Sequence, residues 1–68
     1  MTFKMWIQKF KGENSPIGDL ANDIAADISF PNSTSYEDIL AYLEELDAFD
    51  GAVNAFKAAW ELYERQKQ

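Results

Sequence analysis

Apolar side chains recur along the chain three or four positions apart, which is the period of an amphipathic α-helix. The first segment with this pattern contains Phe3, Trp6, Ile7 and Phe10. Thr2 precedes it as an N-cap, and Gly12 follows it as a residue that adopts the left-handed conformation with which many helices end. The pattern therefore predicts a short first helix between Thr2 and Gly12.

A second helix is predicted after Ser15 and Pro16, since Ser is a favoured N-cap and Pro a favoured first helical residue. Its apolar face contains Ile17, Leu20, Ala21, Ile24, Ala25 and Ile28. Phe30 ends the pattern, and Pro31 is expected to stop the helix because it disfavours the α conformation of the residue before it. Gly18 lies in the first turn at a cost of about 1 kcal/mol relative to Ala, so we expect another backbone to approach it closely.

Two further helices are predicted after the turn formed by residues 31–34. Ser35 is the expected N-cap of the third helix, with Asp38 as the acid of a capping box, and Asp47 is the expected N-cap of the fourth. Their apolar stripes contain Ile39, Tyr42, Leu43 and Leu46 in the third helix and Val53, Phe56, Trp60 and Tyr63 in the fourth. The expected fold class is all-α: a single domain over residues 1–68, with four helices around an aromatic core and a long C-terminal helix that contacts the other three.

Composition limits the chemistry that this small domain can carry. The chain has two Trp, five Phe and three Tyr, so a well-packed aromatic core is expected in spite of its length of 68 residues. It has no Cys and no His, which excludes disulfides, thiolate metal sites and histidine acid–base catalysis. No apolar run approaches the roughly 20 residues of a membrane span, and no signal peptide precedes the domain. We therefore expect a cytoplasmic protein with no membrane association.

The net charge of -6 is distributed unevenly. Lys4, Lys9 and Lys11 are the only charged side chains in residues 1–11, whereas residues 12–56 contain acidic residues and no basic ones. A section that carries only negative charge repels phosphate backbones. Nucleic acid is therefore an unlikely partner for most of the molecule.

A set of residues spread over nearly the whole chain resembles one known family. They are Phe3 with Trp6, Pro16-Ile17-Gly18-Asp19-Leu20-Ala21 with Asp23 and Asp27, Phe30-Pro31, Tyr42-Leu43-Glu44, and Phe56 with Trp60 and Tyr63. Together they resemble the YozE SAM-like family of short bacterial proteins. The resemblance implies a four-helix bundle similar to sterile alpha motif (SAM) domains, and it brings no catalytic residue and no cofactor. SAM domains bind proteins, each other or RNA, so the resemblance leaves the function open.

Asp19, Asp23 and Asp27 recur every four residues in the predicted second helix and are called the acidic ridge below. They have two interpretations: the solvated face of an amphipathic helix, or a contact surface for a basic partner. Carboxylates strung along one helix do not converge on a single ion as those of a calcium loop do. The segment Asp47-Ala48-Phe49-Asp50-Gly51 also lacks the alternating acids of an EF-hand. We therefore predict no metal site.

The acidic residues Glu44, Glu45, Asp47 and Asp50 raise the question of catalysis by paired carboxylates. That chemistry needs two acids that face each other across a cleft, which we do not expect in so small a bundle. The sequence also has no nucleophile with an adjacent base and no Gly-rich phosphate loop. The prediction is a protein that is not an enzyme.

The remaining candidates concern binding. Trp6, Phe30, Trp60 and Tyr63 have rings that can stack on bases, but they lie on the apolar stripes, which favours core packing. The basic residues near the two ends of the chain are expected to form a small basic end if the first and last helices are neighbours; they are Lys4, Lys9, Lys11, Lys57, Arg65 and Lys67.

We therefore expect a non-enzymatic interaction module that binds a protein through its acidic surface. The alternative is a nucleic-acid-linked role, either weak binding through the basic end or mimicry of DNA charge towards a DNA-binding protein. The acidic ridge and the three lysines also predict weak, salt-sensitive self-association, with the monomer dominant, because exposed ion pairs contribute only about 0–1 kcal/mol each.

Overall fold

The computed structural model describes residues 1–46 and 50–66, which form four α-helices and one 3-10 helix. The helices are α1 (Phe3–Trp6), which continues as the 3-10 helix (Ile7–Phe10), α2 (Pro16–Ala26), α3 (Tyr36–Glu45) and α4 (Asp50–Gln66). The last helix is the longest, and it contacts α1, α2 and α3. The predicted all-α class and long C-terminal helix are confirmed.

Hydroxyl side chains cap the first three helices where the sequence predicted them. Thr2, Ser15 and Ser35 each accept a hydrogen bond from the backbone N–H three residues on, at 3.3, 3.0 and 3.3 Å. The second half of the predicted capping box differs in detail. The Ser35 N–H donates to Ser33 Oγ at 2.9 Å, and the Ser33 hydroxyl donates to the Asp38 carboxylate at 3.2 Å. In a standard capping box the acid accepts the N–H of the N-cap residue directly. Here the Ser33 hydroxyl lies between the Ser35 N–H and the Asp38 carboxylate.

Two glycines allow the close connection between the 3-10 helix and α2. Gly12 has a φ of 87°, in the left-handed region, and its N–H donates to Asn22 Oδ1 at 3.1 Å. At Gly18, a Cβ atom would overlap the backbone carbonyl of Glu13. The predicted close approach of another backbone to Gly18 is therefore confirmed.

The end of α2 differs from the prediction. The helix stops before Asp27, whose backbone is extended, rather than continuing to Phe30. Asp27 Oδ1 accepts the N–H of Ser29 at 3.0 Å, and such a local side-chain bond competes with helical backbone bonding. Ile28 consequently leaves the predicted buried face and is 94% exposed. Pro31 follows this break and does not cause it.

Two other residues of the predicted apolar stripes are also exposed. Ala25 lies on the solvent side of α2. Leu46 is the C-cap of α3 and is 57% exposed, because α3 ends at Glu45 before the stripe can bring it inward. The predicted N-cap of the fourth helix, Asp47, lies outside the described residues.

Aromatic rings from α1 and α4 meet in the core around Phe3, which is fully buried. Its ring centroid lies 5.3–5.8 Å from those of Trp6, Phe56, Trp60 and Tyr63. Trp6, Phe30, Trp60 and Tyr63 are all buried. This confirms core packing for the four rings that were considered for base stacking.

The N-terminal segment packs against the end of α4. The Tyr63 hydroxyl donates to the Met1 carbonyl oxygen at 2.6 Å, and Trp6 Nε1 donates to Gln66 Oε1 at 2.5 Å. The first and last helices are therefore neighbours, as the prediction of a basic end required.

Candidate functional site

The acidic ridge is shorter than the sequence predicted. Asp19 and Asp23 are exposed and lie one turn apart on α2. Asp27 is half-buried and lies beyond the helix in an extended conformation. The ridge therefore consists of two helical carboxylates followed by a third whose position is fixed by loop contacts.

Asp27 has a structural role that the sequence analysis missed. Its Oδ2 accepts a hydrogen bond from the Tyr42 hydroxyl at 2.5 Å, while Oδ1 accepts the Ser29 N–H. The hydrogen bond to Asp27, the burial of the hydroxyl and the nearby carboxylate charge all raise the pKa of Tyr42 above its ordinary value of 10.0. Asp27 thus fastens the end of α2 to α3, and its role in binding a partner stays a prediction.

An apolar groove runs beside the acidic ridge, between α2, the end of α3 and the start of α4. It consists of two cavities of about 230 and 150 Å³ that share Leu20, Asp23 and Ala52 as lining residues. The larger cavity is lined by the apolar side chains of Leu20, Ile24, Phe30, Leu43, Leu46 and Ala52 and by the carboxylates of Asp23 and Asp27. The smaller cavity adds Pro16, Asp19 and Gly51. We call this feature the acid-rimmed groove.

The groove could not be found from the sequence, because its lining comes from three helices and a loop. The only local signal is the position of Leu46, where an apolar stripe continues past the last turn of α3. The predicted acidic residues Asp19 and Asp23 are brought together with this apolar surface by the packing of α2 against α4.

The three predicted basic residues differ in their immediate neighbours. Lys4 and Lys11 line a hollow of about 450 Å³ together with Met5, Gln8, Ala25 and Asn32. Lys4 is half-buried, and its Nζ lies 3.5 Å from the Phe30 carbonyl oxygen. The hollow lined by Lys4 and Lys11 is called the basic hollow below.

Lys9 has different neighbours. Its Nζ lies 5.1 Å from the centre of the Trp6 ring, at the distance of a cation–π contact, and donates to Gln66 Oε1 at 3.1 Å. Lys9 therefore helps to hold the N-terminal segment against α4, which separates it from the other two lysines in function. Its role in binding a partner stays a prediction.

Within residues 1–46 and 50–66, no three His, Cys, Asp or Glu side chains lie in a group that could hold a metal ion. In the same residues, every buried side-chain nitrogen and oxygen has a hydrogen-bond partner. What the acid-rimmed groove can do is attract cations and bury apolar side chains. None of the described helices has the length and apolarity that a membrane crossing requires.

Comparison with known proteins identifies the family. The family model described as YozE SAM-like fold matches residues 2–65. No curated protein and no solved structure matches the chain. The family match agrees with the helical bundle and with the residues from which the resemblance was inferred. The chain therefore belongs to the YozE SAM-like family.

Proposed function

We propose that this protein is a small interaction module without enzymatic activity, which binds a basic segment of a partner protein at the acid-rimmed groove. One observation carries the proposal: the exposed carboxylates of Asp19 and Asp23 border cavities whose other lining residues, among those the structure describes and apart from Asp27, are apolar or glycine. If neighbouring helices fully covered the apolar face of α2, these carboxylates would not border cavities with apolar walls.

The two parts of the groove contribute differently to binding. Exposed ion pairs contribute only about 0–1 kcal/mol each, so Asp19 and Asp23 mainly guide and orient a cationic partner. Apolar burial contributes about 25 cal/mol per Å², so the groove floor supplies most of the affinity. The net charge of -6 increases the rate at which a basic partner arrives.

The basic hollow is the observation that favours the alternative, a nucleic-acid-linked role. Lys4 and Lys11 present two cations with no acidic residue in residues 1–11. Two phosphate contacts support only weak, strongly salt-dependent binding. Mimicry of DNA charge by the acid-only section remains the second form of this alternative. The lysines of the basic hollow of one copy can also contact the carboxylates of the acid-rimmed groove of another. This contact is the proposed source of weak self-association.

Affinity capture with charge-reversed variants tests the proposal. The immobilised protein is compared with Asp19→Lys/Asp23→Lys and with the matched control Glu37→Lys/Glu61→Lys, which reverses two exposed acidic residues that do not line the groove. We expect one protein partner to bind the parent protein and the control variant and to be lost from the groove variant. Elution at raised salt is expected because the contact is partly electrostatic.

Two results would contradict the proposal. Capture of the same proteins by all three forms would mean that the acidic ridge is only a solvated face. Binding of a labelled oligonucleotide that is lost in Lys4→Glu/Lys11→Glu, with no protein partner captured, would favour the nucleic-acid-linked role.

A further inference from the structure

We infer that the partner segment is a cationic amphipathic α-helix, which lies along the acid-rimmed groove with its apolar side chains in the two cavities. The inference rests on the proposed function and adds the conformation and residue pattern of the ligand. It follows from the groove's backbone chemistry, its dimensions and the spacing of its carboxylates.

The α2 wall of the groove offers side chains rather than backbone hydrogen-bonding groups to a ligand. α2 forms one wall, and its backbone N–H and C=O groups are used within the helix except at its ends. The described residues contain no β-strand whose edge could pair with an extended peptide. A buried segment must satisfy its own backbone groups, and an α-helix does so internally. This favours the helix-in-groove mode of recognition over strand addition.

The length of the groove suits a short helix. Its lining residues on the α2 side extend from Pro16 to Asp27. At a rise of roughly 1.5 Å per residue, this distance is about 16 Å, which equals about three helical turns. Gly51 and Ala52 lie on the α4 side of the smaller cavity, where their small size lets a ligand backbone come close.

The two cavities define the apolar pattern of the ligand. They adjoin at Leu20, so two neighbouring anchor side chains three or four residues apart on a helix would enter one cavity each. Leu46 lines the larger cavity, is 57% exposed and would be covered by the anchor that enters this cavity.

The carboxylates define the charge pattern. Asp19 and Asp23 are one turn apart, and neither side chain forms a hydrogen bond or ion pair with another described residue. A ligand helix with Lys or Arg at positions i and i+4 matches this period. Both oxygens of Asp27 already accept hydrogen bonds from Tyr42 and Ser29, so two carboxylates rather than three select the cations.

Calorimetric titration with three synthetic Lys/Leu peptides of identical composition tests the inference. The first peptide has Leu pairs at i, i+3 and i, i+4 and Lys at i, i+4. The second has the same residues in scrambled order. The third keeps the pattern of the first but has D-residues in the middle, which prevent a continuous helix. We expect the first peptide to bind about tenfold or more tightly than the other two, a difference of about 1.4 kcal/mol.

Protein variants locate the bound peptide. Leu46→Ala and Asp19→Asn/Asp23→Asn should each weaken binding of the patterned peptide several-fold. The matched controls Leu62→Ala, which truncates another exposed leucine, and Glu37→Gln/Glu61→Gln should leave binding unchanged. Circular dichroism of each variant checks that it remains folded.

Several outcomes would overturn the inference. Equal binding of all three peptides, with loss of binding in Asp19→Asn/Asp23→Asn, would show recognition by charge alone. The proposed function would then stand, and the inference that the ligand binds as an α-helix would be wrong. Absence of binding, or binding that Leu46→Ala leaves unchanged, would also overturn it, while the capture experiment decides the proposed function separately. A salt-sensitive dimer in sedimentation that is lost in Asp19→Asn/Asp23→Asn and Leu46→Ala, together with no binding of the patterned peptide, would assign the groove to a second copy of the chain.

Discussion

The Tyr42 hydroxyl donates a hydrogen bond to Asp27 Oδ2 at 2.5 Å, across a separation of 15 residues. Asp27 follows α2 and Tyr42 belongs to α3, so this bond sets where the chain leaves one helix relative to the next. The Tyr42 ring also packs against Phe30, with ring centroids 5.5 Å apart. Tyr42 thus holds the end of α2 against α3 and packs against the buried Phe30.

Replacing Asp27 by Ala should destabilise the protein by about 1–2 kcal/mol, because the Ser29 N–H and the Tyr42 hydroxyl both lose their acceptor. Tyr42→Phe removes only one of these bonds and should cost less. Urea unfolding monitored by fluorescence measures both changes. Equal losses in the two variants would mean that the bond to Ser29 contributes nothing.

Stability should fall at high pH through the same pair. The Asp27 hydrogen bond, burial and the carboxylate charge raise the pKa of Tyr42 above 10.0, so folding favours the protonated phenol. This contribution is fully present below the unfolded pKa of about 10 and is lost as pH rises through the higher folded pKa. Unfolding midpoints of Tyr42→Phe should therefore fall less steeply above that pH than those of the parent protein. Parallel pH profiles for the two proteins would contradict the assignment.

Trp60→Ala should destabilise by about 3–5 kcal/mol, a large part of the stability of so small a domain. Trp60 is buried, and its ring centroid lies 4.8–5.8 Å from those of its aromatic neighbours Phe3, Tyr36, Phe56 and Tyr63. Thermal unfolding followed by circular dichroism measures the loss, with Leu62→Ala as the exposed control. A melting temperature that barely changes would contradict the assignment of Trp60 to the core.

Phe30→Ala should cost about 3–5 kcal/mol, whereas Pro31→Ala should stay within about 1 kcal/mol. Phe30 is buried, and Pro31 lies beyond a break that Asp27 already produces. Chemical denaturation of the two variants gives the comparison. Similar losses would show that Pro31 has a structural role of its own in the turn.

Gly18→Ala should destabilise the protein even though Ala is favoured over Gly in a helix by about 1 kcal/mol. The added Cβ would overlap the Glu13 carbonyl, so the connector before α2 must move. The loss of that contact should outweigh the gain in helix propensity. Denaturant unfolding of Gly18→Ala beside Ala26→Gly, an exposed position at the other end of α2, separates the two effects. A stabilised Gly18→Ala variant would contradict the close contact.

Local interactions made part of this structure predictable. An N-cap is a contact between residues three positions apart, so Thr2, Ser15 and Ser35 could be identified from their own neighbourhoods. The helical spacing of apolar residues likewise identified the aromatic core, because burial of one helix face depends on the period of the helix and not on its partner. The family match over residues 2–65 agrees with these local patterns.

The candidate site was predicted only in part. Asp19 and Asp23 were recognised as exposed helical carboxylates, but nothing near them in the sequence indicated the apolar surface beside them. Lys4 and Lys11 share one hollow while Lys9 packs on Trp6, and that division depends on which helix covers which side of the N-terminal segment.

The sequence by itself determined where the first three helices begin, which side chains are apolar enough to form a core, and where the charge lies. Those properties depend on the residues within one or two helical turns. Only the tertiary structure decided that Asp27 binds Tyr42, which holds the end of α2 against α3, and how the acid-rimmed groove forms. The reason is physical: Tyr42, Leu46 and Ala52 reach the α2 side chains across long stretches of chain, and such contacts depend on how the helices pack together.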